Sequence, residues 1–145
     1  MKNRILTFLA VACLAAPVAA APEATAAAPI KNFRLPTFTE EGFRQTMIRA
    51  AEASLPDPAR IEAKEMELTL FTGKADGEID AMLAAPLATL FPQRQFASGP
   101  STVRLERIDL TVTGSDWSYD HAAQKIIIRR DAHVIMRAVL GDIIK

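Results

Sequence analysis

The side chains most able to do chemistry are few and scattered. His121 and His133 are the only histidines, and neither has the His-x-x-x-His spacing or a nearby cysteine that would complete a metal-ligand set. Asp116, Asp120 and His121 could together approach a cation, yet the same residues read more simply as a solvated turn. Ser98 and Ser101 flank Gly99-Pro100 without forming a Gly-x-Ser-x-Gly elbow. Gly73 and Gly77 read as turn glycines, and no phosphate loop or dinucleotide fingerprint occurs. Glu62, Glu65 and Glu67 lie close together, but on a strand they would mostly decorate the outward face. Catalysis needs a positioned set of polar groups. None is legible, so the expectation is a protein that is not an enzyme and holds no metal and no cofactor. A small secreted hydrolase would need a clustered polar site.

The elements that would position these residues centre on one stretch and its echo. Arg60 to Leu70 aligns without a gap to Thr102 to Val112. Apolar residues fall at matching places: Ile61/Val103, Ala63/Leu105, Met66/Ile108, Leu68/Leu110 and Leu70/Val112. In each copy alternation runs, slips by one residue across a charged pair, then resumes. Alternation marks a strand with one buried face. A slip would turn the rest of the strand outward unless an extra residue is absorbed, so a β-bulge is expected at Lys64-Glu65 and another at Glu106-Arg107. Helical spacing through Ile61, Glu65, Leu68 and Val103, Arg107, Leu110 is the alternative. It would put Glu65 and Arg107 in the apolar stripe, so strands are preferred.

The chain of 145 residues suits one domain with an ordinary core. Lysine plus arginine balances aspartate plus glutamate at 17 each, and no basic stripe with interleaved aromatics exists, which excludes a nucleic-acid footprint. The start of the chain reads as a secretory signal peptide, residues 1–20. Lys2 and Arg4 give a positive segment, Ile5 to Ala16 an apolar one, and Val18 to Ala21 a small-residue cleavage site. Two alternatives are a retained inner-membrane anchor, which Pro17 interrupts, and lipidation at Cys13, the only cysteine. Residues 21–32, rich in Ala and Pro, read as a flexible spacer, and residues 33–145 as the folded domain.

Within that domain, Leu35-Pro36-Thr37-Phe38 reads as an extended edge segment, because proline removes a ladder donor, and Thr39-Glu40-Glu41-Gly42 as the turn after it. Phe43 to Ala53 leans helical on its own residues, through Phe43, Met47, Ile48 and Ala51. Pro56-Asp57-Pro58 is a hard turn and Thr72 to Gly77 a turn-rich connection. Glu78 to Ala84 reads as a returning strand and Pro86 to Pro92 as a separate short one. Ser98 to Ser101 reads as a loop and Thr113-Gly114-Ser115-Asp116 as a turn. Trp117 to Asp120 is a short extended piece, Lys125 to Arg129 a strand, and Arg130-Asp131 its turn. His133 to Ile144 closes the chain with Val134, Met136, Ala138 and Leu140 on one face. Many short strands joined by tight turns predict an all-β domain.

Several of these signals resemble the periplasmic lipopolysaccharide-transport family that includes LptC, LptA and the OstA-like domain. The resemblance rests on Leu35 to Phe43 as an entry into a first long strand, the Ala-x-x-Met-x-Leu strand at Ala63 to Leu68, and the tail. In the tail it runs through Asp116 to Asp120, Lys125 to Ile128 and Asp131 to Val134. It implies a twisted, open β-jellyroll of antiparallel strands whose apolar interior holds acyl chains and which pairs edge to edge into a periplasmic bridge. It also implies that Phe43 to Ala53 is a strand. An LptC-like protein keeps its membrane helix and is longer, and on both points this chain departs.

The function expected on this basis is binding and passage of lipopolysaccharide or another acyl lipid in the periplasm. The apolar lining would be Ile61, Met66, Leu68, Leu70, Val103, Leu105, Ile108, Leu110 and Val112, with Ile127, Val134 and Met136 as additions. The same residues would equally form a sealed core. Leu35 and Phe38 at one edge, and Val134 and Met136 at the other, are the expected seams for β-augmentation by other jellyroll-type transport proteins. An inner-membrane transporter complex is a further partner implied by the resemblance. The competing expectation is an envelope adaptor that uses the same edges and carries no lipid.

Overall fold

The computed structural model describes residues 28–137. The expected signal segment with its expected cleavage site, Cys13, and Ala138 and Leu140 of the closing segment therefore lie outside the described residues. The described chain is all-β. Its strands are β1 (Ile30–Phe38), β2 (Arg44–Asp57), β3 (Arg60–Phe71), β4 (Ile79–Phe91), β5 (Phe96–Glu106), β6 (Leu110–Asp120) and β7 (Lys125–Met136). All seven form one antiparallel sheet in sequence order, so each strand pairs with its chain neighbours and β1 and β7 are the open edges. This is an open sheet of the jellyroll-like kind. β1 starts inside the stretch expected to be spacer, because Ile30 and Lys31 pair with Ala53 and Glu52 of β2.

β2 settles the ambiguous segment as a strand. Its intrinsic preference is weak, and pairing with β1 on one side and β3 on the other overrides it. The connections expected after β1, β2 and β3 are present. Gly42, with φ of 88°, donates its N–H to the Thr39 carbonyl at 2.9 Å. Asp57 accepts from the Ala59 N–H at 2.9 Å, and Thr72 N–H reaches the Glu78 carbonyl at 3.0 Å.

The other expected turns are not turns. They fall on a crease that crosses the sheet in mid-strand. Asn32, Glu65, Asp116 and Asp131 all have positive φ between 51° and 53° although none is glycine. In β3 the buried residues run Ile61, Ala63, then Met66, Leu68 and Leu70, which is the expected slip at Lys64-Glu65. β2 slips between Ala50 and Ala53, and β4 between Ala85 and Ala88, at the same level. Because neighbours slip together, the β2–β3 and β3–β4 registers are unbroken there, and no extra residue is absorbed between strands. Between β4 and β5, however, pairing stops at Ala84↔Arg104 and resumes at Thr89↔Ser98. Pro86 and Pro100 sit in that interval, where missing ladder donors matter least.

Five expectations are corrected by this crease and by one true turn. The pieces Glu78 to Ala84 and Pro86 to Pro92 are one strand, β4. Ser98 to Ser101 lies within β5, Thr113 to Asp116 within β6, and Arg130-Asp131 within β7. The second copy of the repeat, in contrast, is not one strand. It breaks at Arg107-Ile108-Asp109, where the Arg107 N–H donates to the Leu110 carbonyl at 2.8 Å and closes the β5–β6 hairpin. The expected bulge at Glu106-Arg107 is that turn.

Candidate functional site

The inner face of the sheet is apolar from edge to edge. Leu35, Ile48, Leu68, Leu83, Leu105, Val112 and Val134 form one unbroken cross-strand row, each paired with the next. A second row, Ile61, Leu90, Ala97, Tyr119 and Ile126, runs on the other side of the crease from β3 to β7. The sheet is rolled so that these rows face each other. Leu35 on β1 and Tyr119 on β6 line one pocket of about 90 Å³, although in a flat sheet five strand spacings would part them by about 24 Å.

Burial varies along the first row. Leu83 at its centre is 0% exposed, whereas Val134 at the β7 edge is 58% exposed. Met66, Leu83, Leu90 and Trp117 are the largest fully buried side chains. Seven of the core residues are alanines: Ala50, Ala53, Ala63, Ala81, Ala85, Ala88 and Ala97. Small side chains let the two walls of the roll approach closely and leave little space between them. The centre is therefore filled, and burial relaxes toward both ends of the row: Leu35 and Ile48 on β1 and β2, and Leu110 and Val112 on β6, are half-buried.

Of the residues expected to line the interior, Ile61, Met66, Leu68, Leu70, Val103 and Leu105 are buried together, with Leu110 and Val112 beside them. Ile108 is not among them; it is 93% exposed at the tip of the β5–β6 turn. Ile127 belongs to the outer face, since it pairs with Ser118 while Ile126 and Ile128 turn inward. Val134 and Met136 pair with Val112 and Leu110 and stand exposed on the edge strand. Leu35 is half-buried on β1, and Phe38 ends that strand exposed. Leu90, Trp117 and Tyr119, outside the expected set, are buried on the inner face as well. Alternation through β4 and β6 could have found them, had the crease not interrupted it.

Polar chemistry collects at one end of the roll. The Tyr119 hydroxyl and His121 Nδ1 are 2.7 Å apart, with the rings edge to face. Burial pushes the Tyr119 phenol up to about 12, helped by the Asp80 and Asp120 carboxylates. Burial lowers the His121 pKa, against the pull of Asp120. His121 Nε2 is buried and has no hydrogen-bond partner among the described residues. Asp120 accepts the Ala123 N–H at 3.0 Å in the β6–β7 turn, while Asp116 pairs with Arg129 and Arg130 across the crease. His133 stands on the exposed part of β7. On the outer face Glu52 bridges Lys31 and Lys64, which hold its carboxyl below the usual range. Among the described residues no group of three or more His, Cys, Asp or Glu side chains is placed to hold a metal ion.

Fold and site together define an open-edged, single-sheet β-module with an apolar inner face and a small polar anchor at one end. No protein-family model matches the chain, and no curated protein matches it.

Proposed function

We propose that this chain is a periplasmic, lipopolysaccharide-binding component of envelope lipid transport, of the LptC/LptA and OstA-like kind, working by edge-to-edge assembly. The observation that carries the reading is the seven-strand apolar row that ends at Val134, exposed on an edge strand with no further strand beside it among the described residues. An inner face that stays apolar up to an open edge is suited to continue into a partner sheet, because β-augmentation extends both the ladder and the face. Acyl chains would lie along the open β6–β7 section, each buried methylene contributing about 0.8 kcal/mol, with the sugars in water. Partners would be other jellyroll-type modules and an inner-membrane transporter complex. The chain would be exported by its N-terminal segment, and either released into the periplasm or held at the inner membrane by that segment.

A second reading, an envelope adaptor that pairs through the same edges without lipid, is favoured by the alanine-filled centre. The apolar pocket within the roll holds only about 90 Å³. Native mass spectrometry of the chain purified from a periplasmic extract separates the two. Co-purifying lipopolysaccharide or lipid A supports carriage. A lipid-free chain that takes up no lipid A when challenged removes carriage and leaves the adaptor.

A further inference from the structure

We infer that a second copy of this chain docks on the β7 edge, strand against antiparallel strand, with a two-fold axis through Val134. This names one partner for the edge-to-edge assembly proposed above, and it rests on the open edge of that reading but not on lipid carriage.

β7 presents a regular ladder on its far side. Asp131 to Arg137 is exposed throughout although β6 pairs along it, and Val134, Ile135 and Met136 are 58%, 63% and 72% exposed. Among the described residues no strand pairs with β7 on that side. The Arg137 N–H donates to the Asp109 carbonyl, next to β6, at 2.8 Å. Main-chain groups alternate in direction along a strand, so those of Ala132, Val134 and Met136 face the open side. No residue from Ala132 to Arg137 has positive φ. β1 is the poorer mate. Pro36 lacks an N–H, Asn32 is left-handed, and Lys31 and Arg34 are its only charges. They would meet a strand that already carries Lys125, Arg129 and Arg130.

Charge and face fix the register. Asp131 is the only acidic residue of β7. Arg129 and Arg130 share Asp116, whereas neither Asp131 nor Arg137 makes an ion pair among the described residues. The Arg137 guanidinium donates to the Thr111 hydroxyl at 3.2 Å. With the axis at Val134, Asp131 of each copy lies opposite Arg137 of the other, and the symmetry closes the ion pair twice. Met136 then lies opposite Ala132, Ile135 opposite His133, and Val134 opposite itself. Opposed residues of an antiparallel pair share a face, so the apolar row runs on from one copy into the other. Arg129 and Arg130 fall beyond these pairs. Moving the axis to His133 sets Arg129 against Arg137, and moving it to Ile135 sets His133 against Arg137. Both lose the ion pairs.

The test is sedimentation equilibrium of the chain purified from a periplasmic extract, over a range of concentrations. A monomer–dimer equilibrium that stops at two is expected, because an isologous contact closes on itself. Asp131→Arg or Arg137→Asp alone should weaken it about tenfold, and the two together should restore it. Arg34→Glu on β1 should change nothing, whereas it would tighten a β1–β7 contact. In a Cys13→Ser background, oxidised Val134→Cys should cross-link to itself, since opposed Cα atoms stand about 5.5 Å apart. Ile135→Cys, about 7 Å out of step with its copy, should not. A monomer at every concentration, growth beyond dimers, altered association in Arg34→Glu, or cross-linking through Ile135→Cys in place of Val134→Cys would each overturn the proposal. If Asp131→Arg does not fold, Arg137→Asp and the two cysteine variants still decide it. A monomer that carries lipid A overturns the dimer alone, whereas a lipid-free dimer supports it and overturns carriage alone.

Discussion

Gly99 on β5 lies directly opposite Trp117 on β6, and the indole fills the space that a side chain at Gly99 would need. A Cβ there would stand 2.8 Å from Trp117 Nε1 and 2.6 Å from the Leu87 carbonyl oxygen. The carbonyl is backbone, so the clash cannot be relieved by a rotamer change. Gly99→Ala should therefore destabilise the protein by about 1–3 kcal/mol, the usual cost of overpacking. Trp117 is the only tryptophan, which makes its fluorescence a direct monitor of the denaturant midpoint. An unchanged midpoint would refute this account of the packing.

The two copies of the repeat give a paired test. Met66 and Ile108 hold equivalent places in the sequence, yet one is 1% and the other 93% exposed. Met66→Ala should cost about 2–5 kcal/mol, whereas Ile108→Ala should change stability by no more than about 0.5 kcal/mol. Equal losses in thermal or urea unfolding would mean that Ile108 is packed after all.

The crease makes its own prediction at Glu65. Its φ of 51° is costly for a residue with a Cβ, and its exposed side chain forms no ion pair among the described residues. Glycine removes that strain but gains freedom in the unfolded chain, so Glu65→Gly should stabilise by about 0.5–1 kcal/mol net. Glu65→Ile, β-branched at positive φ, should do the opposite. A melting temperature that falls in both variants would argue against a left-handed residue at this point.

Stability should depend on pH through His121. Burial depresses its folded pKa below the ordinary 6.5, so the unfolded chain binds a proton more readily. The contribution is whole above 6.5 and is lost as the pH falls from there through the folded value. His121→Gln should flatten the stability profile in that window. A profile with the same slope in the variant would assign the dependence to another group.

At the β7 edge, Val134→Lys with Met136→Lys should leave the monomer's stability within about 0.5 kcal/mol, because both side chains are exposed. The same pair should block any edge-to-edge association seen by light scattering, since lysine on an edge strand disfavours pairing. Association that survives both changes would place the contact elsewhere.

Local signals in the sequence were sufficient for the fold class. Alternation in Arg60 to Leu70 gave β3 with its slip at Lys64-Glu65, and Gly42, Pro58 and Gly73 marked real hairpin ends, because pleat and turn chemistry act over a few neighbouring residues. Tertiary structure decided the rest. Pro86, Gly99-Pro100, Gly114 and Asp131 carry the residue types of turns. Only the alignment of neighbouring strands makes them one crease inside long strands. The same alignment made a strand of Phe43 to Ala53, and a turn at Arg107-Ile108-Asp109 broke the second copy of the repeat. The pocket beside Tyr119 and His121 was not legible at all. It joins β1 to β6 across the roll, and no local pattern encodes a contact between strands that far apart in the chain.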